Sequence, residues 1–130
     1  MHQMLPGYLF AACVTIVVLF QFALIIGAPW GHLAMGGRYP GQFPPALRVA
    51  AFVQSVLLTF LALIVLTKAG IMFPDHYASA TIAIWVVTIV SGLSLIMNLA
   101  TPSKWERILW APIAFTMLMT SGWLALKDFV

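Results

Sequence analysis

Charge is what this sequence has least of. Six Lys and Arg and three Asp and Glu make up 7% of the 130 residues, where an ordinary globular domain carries about a quarter. No two basic residues are adjacent, so the formal charge of +3 forms no run able to track a phosphate backbone, and no nucleic-acid partner is expected. Cysteine is scarcer still. With Cys13 alone, an intrachain disulfide, a redox pair or a cysteine-rich metal site is impossible. The opening MHQMLPGY has no Lys or Arg ahead of the first apolar run, so that run reads as a permanent span rather than a secretory leader.

What fills the chain instead is hydrocarbon: 63% of its residues are hydrophobic. A domain this small cannot hide that much apolar surface from water by folding alone, so lipid must cover the remainder. Crossing a bilayer takes roughly 20 residues at 1.5 Å each, and four segments qualify. They are Tyr8–Ala28, Val49–Thr67 between Arg48 and Lys68, Tyr77–Leu99, and residues 106–126, of which Ile108–Leu126 is uncharged. Stretches such as LLTFLALIVL and TIAIWVVTIV show none of the alternation of a membrane barrel strand. The expectation is an all-α, four-helix antiparallel transmembrane bundle forming one domain over residues 1–130, with a long Gly/Pro-rich first loop.

The connections differ in kind. KAGIMFPDHY is a tight turn in which Gly70 can end one helix, Pro74 can stop it and Asp75 can cap the next. In NLATPSKWERILW, Ser103 followed by Glu106 fits a capping box, which starts the fourth helix near Lys104. Pro112 then falls about two turns into that helix and removes one of its hydrogen bonds. The basic residues sit near span ends, where topology and lipid headgroups account for them.

Helices in lipid associate through small residues and hydrogen bonds. Thr81, Trp85, Thr88 and Gly92 share a face of the third helix, and Ser121 and Ala125 form a small-xxx-small pair on the fourth. These two helices are the expected tight neighbours, with the hydroxyls as glue between them. Gln21, Gln54 and Asn98 are the amides of the membrane layer, and each must face protein or water. They either join helices or line a route for a small molecule. No ionisable group lies in the middle of any span, which disfavours proton-coupled transport.

Bacterial small multidrug-resistance transporters also have four short spans, but their membrane-embedded glutamate in the first helix has no counterpart here. The segments GAPWG, GGRYPG, PALR and NLATPSKWERILWAP resemble those of small, uncharacterised bacterial four-span membrane proteins. The resemblance covers most of the chain and implies a multi-pass protein of the bacterial inner membrane; it brings no catalytic roles.

The remaining feature is the first loop, GAPWGHLAMGGRYPGQFPPALR, with five glycines and four prolines in 22 residues. Four spans place it on the same side of the membrane as the third loop. That gathers Trp30, His32, Arg38, Tyr39 and Arg48 against Glu106, Arg107 and Trp110 at one end of the bundle, and these are candidate ligand or lipid contacts together with the three amides. The glycines and prolines suggest a compact cap over the bundle mouth, either a simple lid or a gate to a lipophile cavity, with Arg38 meeting Glu106 or an anionic headgroup. GGRYPG could form an anion nest but lacks the spacing of a nucleotide-binding loop. His32 and Glu106 are the one acid/base couple these loops could assemble, while His2 and His76 belong to the other end, so no cofactor and no metal site is expected. The expected function is noncatalytic binding or assembly, as an accessory subunit or homo-oligomer, with membrane lipids, itself or another membrane protein as partners. A small-molecule or lipid carrier is the alternative, and a membrane-embedded enzyme ranks below both. Arg38, Arg48, Lys104 and Arg107 against Lys68 and Lys127 favour cytoplasmic first and third loops and external termini.

Overall fold

The computed structural model describes residues 4–129; His2 and Val130 lie outside them. There are four helices, α1 (Met4–Ile25), α2 (Pro45–Lys68), α3 (Tyr77–Ala100) and α4 (Lys104–Leu126), with short 3-10 turns in the first two connections and after α4, and no strand among the described residues. Each is long and apolar enough to cross a membrane. The protein is thus an all-α, multi-pass transmembrane four-helix bundle, and its outward faces carry large apolar side chains such as Phe52, Phe60, Ile82 and Ile96, each more than half exposed to the surroundings.

The helix ends follow local chemistry. α1 starts ahead of Tyr8, taking in Pro6, because a proline in the first turn gives up an N–H that has no intrahelical partner anyway. It stops at Ile25 because Gly27 adopts a φ of +102°, while Gly27 N–H donates to Leu24 O and Ala28 N–H to Ala23 O. This pair of bonds satisfies carbonyls that the helix leaves open. α2 ends the same way at Gly70, with Gly70 N–H on Thr67 O and Ile71 N–H on Leu66 O. Gly70 therefore does what the sequence suggests, whereas Pro74 and Asp75 do not. Pro74–His76 forms a separate 3-10 turn, and neither Asp75 nor any other side chain caps α3.

Order around the bundle follows order along the chain. α3 packs most extensively on α4 and α1 on α2, α4 also contacts α1, and α2 meets α3 over a smaller area. The core joins Phe10 and Val14 of α1, Val65 of α2 and Ala69 just beyond its end, Ile84 and Val87 of α3, and Met117 and Leu124 of α4. Close approach depends on small residues. A Cβ on Gly7 would lie 2.7 Å from Ala69 Cβ, and Cβ atoms on Gly92 and Gly122 would touch Leu118 and Thr88 at 3.7 Å. Between α3 and α4, however, the hydroxyls are not interhelical glue. Thr88 donates to Ile84 O, Thr120 to Thr116 O and Ser121 to Met117 O, each one turn back on its own helix. In hydrocarbon that carbonyl is always within reach, so these residues act by being small.

Candidate functional site

The first loop lies over the start of α4 and is fixed to it from both sides. Gly36 N–H donates to Glu106 Oε2 at 3.0 Å, Ser103 Oγ to His32 O at 3.3 Å, and Trp110 Nε1 to Leu33 O at 2.8 Å. Within the loop, Gly31 N–H donates to Gly41 O at 2.8 Å and closes the segment between them into a lariat. Three successive left-handed residues, Met35, Gly36 and Gly37, turn the backbone so that its amide points at the carboxylate. Gly31 is required for a different reason: a Cβ there would stand 1.9 Å from Tyr39 O.

Glu106 is consequently the centre of the cap. Its Oε2 also accepts from Thr101 Oγ1 at 3.3 Å, while its own N–H donates to Ser103 Oγ at 3.3 Å. Half of the expected capping box is therefore present. The other half is diverted: Ser103 N–H goes to Thr101 Oγ1 and the carboxylate to the loop. Arg38 does not meet Glu106; the sole ion pair among the described residues is at the opposite end of the bundle. A backbone amide reaches the carboxylate because the left-handed turn delivers it there, and Arg38 is left exposed. His32 also stays exposed, joined to Glu106 by neither a hydrogen bond nor an ion pair, so the acid/base couple does not form.

The other cations of this end divide into two kinds. Arg48 Nε donates to Phe43 O at 2.8 Å and Arg107 Nη1 to Thr101 O, so both serve the backbone of the loops. The side chains of Arg38 and Lys104 are exposed and engage no partner among the described residues. Beside them Trp30, Tyr39 and Trp105 are exposed. Trp30 stacks on Phe20 with ring centroids 6.5 Å apart, Trp110 leans on the same ring at 4.7 Å, and Tyr39 meets Phe43 edge-on.

Below this cap the amides separate. Gln21 is buried and its Nε2 donates to Gln54 Oε1 at 2.6 Å, tying α1 to α2. Asn98 turns back on its own helix, to Ser94 O at 2.8 Å and Ser94 Oγ at 3.3 Å. Two lateral grooves flank α2. One of about 340 Å³ against α1 is lined by Val18, Phe22, Phe52 and Phe60 among others, and one of about 380 Å³ against α3 by Leu63, Ile64, Phe73 and His76 among others. Both are open and apolar.

The opposite end holds what charge placement at span ends did not reveal. Lys68 is fully buried rather than at a headgroup. Its ammonium donates to Asp128 Oδ2 at 2.5 Å, Thr81 Oγ1 at 3.1 Å and Tyr77 Oη at 3.3 Å, and lies 4.8 Å from the Tyr77 ring centre. Lys127 stands on the same ring at 5.8 Å. A four-span topology already puts Lys68 and Asp128 on one side of the membrane, and that was the available signal. Among the described residues no three His, Cys, Asp or Glu side chains converge as a metal site would need. Set against models of protein families, characterised proteins and solved structures, the chain matches none of them.

Proposed function

We propose that the protein is a noncatalytic binding or assembly subunit of the membrane that works through the capped end of its bundle, where it engages anionic lipid headgroups or an acidic surface of a neighbouring membrane protein. One observation carries this reading. The cap hydrogen-bonds its only carboxylate to a backbone amide and the Thr101 hydroxyl and spends Arg48 and Arg107 on backbone carbonyls, leaving Arg38 and Lys104 outward on a pinned backbone beside exposed Trp30 and Trp105. Cations and indole rings at one level suit the headgroup layer, and a juxtamembrane cation near an anionic surface is worth about 1 kcal/mol. A pinned plate also loses little conformational freedom on binding.

The same asymmetry supports an orientation. Four basic residues against one acidic residue lie at the capped end, and two against two lie at the other. We place the capped end at the cytoplasmic face of a bacterial inner membrane, with both termini outside. The test is lipid retention by native mass spectrometry from nanodiscs of equal phosphatidylglycerol and phosphatidylcholine. Enrichment of phosphatidylglycerol that disappears in Arg38→Ala/Lys104→Ala supports the reading. Equal retention of both lipids by the parent protein refutes headgroup recognition, and a reporter fused after Val130 that works only in the cytoplasm reverses the orientation.

A further inference from the structure

We infer that α2 and α3 form a wedge, opening toward the capped end, that takes a neutral lipophile bearing a carbonyl oxygen. The basis is a gradient of burial along one stripe of each helix. On α3, Ala80, Ile84, Val87, Ser91, Ser94 and Asn98 recur at alternating steps of four and three and so share one face. The first four are buried, Ser94 and Asn98 are half-buried, and no residue of α3 beyond Ser91 is buried. On α2, Val65, Leu61, Leu58 and Gln54 form the counterpart: Val65 is fully buried, Leu61 and Leu58 half-buried, Gln54 exposed. The two helices are bound together at the Lys68 end by Tyr77 and Thr81. Away from that clasp, burial falls and the side chains change from hydrocarbon to hydroxyl and amide.

The polar groups of the wedge are short of partners. Gln54 carries two N–H donors, and its one hydrogen bond is to Gln21, so at least one N–H stays unused whichever way the amide is turned. Ser91 Oγ, at the apex where the stripe turns polar, is buried with no partner among the described residues. Ser94 Oγ accepts from Asn98 and keeps its O–H to donate. These are donors without charge, and an uncharged acceptor satisfies them. In hydrocarbon an unpaired amide is costly, which gives the site a reason to be filled.

Depth selects among acceptors. Gln54 lies six residues beyond Arg48, about 9 Å further along α2. A phospholipid ester could reach that level only by drawing its charged headgroup into the acyl layer. A diacylglycerol or quinone, with a carbonyl and no charge, can sink that far. The wedge is separate from the cationic plate, so either proposal can fail alone.

The experiment uses the full chain in phosphatidylcholine nanodiscs with a diacylglycerol carrying a diazirine near its ester, photolysed and mapped by peptide mass spectrometry. Labelling should concentrate on residues 54–61 and 91–98. Gln54→Leu and, separately, Ser94→Ala should each lower it about fivefold, the effect of one hydrogen bond; Ser94→Ala, which leaves the Gln21–Gln54 bond in place, should do so with unchanged thermal stability, showing that the loss is not one of fold. Arg38→Ala/Lys104→Ala should leave it intact. Even labelling of all four helices overturns the inference. So does equal concentration of a diazirine-phosphatidylcholine at the same residues, which would mark an acyl-chain groove only. Labelling unaffected by Gln54→Leu while that variant dissociates a dimer overturns it as well, and assigns Gln54 to a second copy.

Discussion

Replacing Gly31 by alanine tests whether the first loop is a rigid cap, and Gly41→Ala is its natural control. Gly31 has no left-handed φ, so its requirement is purely one of space: the new Cβ would lie 1.9 Å from Tyr39 O and 2.7 Å from Gly41 O, both backbone atoms. Relieving the first contact moves the Tyr39 carbonyl by about 1 Å, well beyond what a packed segment absorbs at no cost. Such a shift breaks the 2.8 Å bond from Gly31 N–H to Gly41 O and leaves a buried donor unsatisfied, about 1–3 kcal/mol. Gly41 has the opposite character, with a φ of +85° and no atom within 4 Å of its added Cβ. There alanine meets only the left-handed backbone penalty, about 1–2 kcal/mol, and nothing need move. The readouts are unfolding in mixed micelles and the distance between spin labels at Arg38 and Lys104 in bilayers. Gly31→Ala should broaden and lengthen that distance, whereas Gly41→Ala should lower stability and leave it narrow. A broad distribution in the parent protein, or identical distributions in the two variants, would refute the rigid cap.

Three further outcomes follow from the packing. Asp128→Ala should destabilise the bundle more than Lys68→Met, because the first strands a buried ammonium and the second removes it; the double variant should return to the Lys68→Met level in an unfolding titration, and the reverse ranking would contradict the assigned burial. Gly7→Ala places a methyl 2.7 Å from Ala69 Cβ and 3.0 Å from Ile71 Cδ1, so α1 and α2 must separate at a cost of about 1–3 kcal/mol, measurable by the same titration. A double-mutant cycle of Gln21→Leu and Gln54→Leu should give a coupling of about 0.6–1.7 kcal/mol, as other hydrogen bonds between membrane helices do; a value near zero would mean that the amides are not joined in the membrane.

Much of the architecture was legible because it depends on properties that add along the chain. Four charge-bounded apolar runs demand helices in lipid, since only a helix satisfies every backbone group within one segment. Gly70, the Ser103 cap and the small residues of α3 and α4 could likewise be read one turn at a time. The same locality explains the failures. Asp75 has the composition of a cap, yet the 3-10 turn beginning at Pro74 carries it past the position from which it could act. Thr88 and Ser121 have the composition of interhelical bonds, yet their own carbonyls lie closer than any neighbour.

What only the tertiary structure decided are the pairings between residues far apart in sequence. Whether Glu106 faces Arg38 or the Gly36 amide depends on three consecutive left-handed residues and the lie of a loop 70 positions away. Lys68 could be read as a residue of a span end, but its burial required the chain to return at Asp128, 60 residues later. Gln21, Gln54 and Asn98 are chemically equivalent in the sequence. Rotation of each helix about its axis then buried the first, left the second half-satisfied and folded the third onto its own backbone. Composition dictates that helices form and where they end. Their rotation and closeness follow from packing, in which a single Cβ at Gly7 or Gly31 is enough to matter.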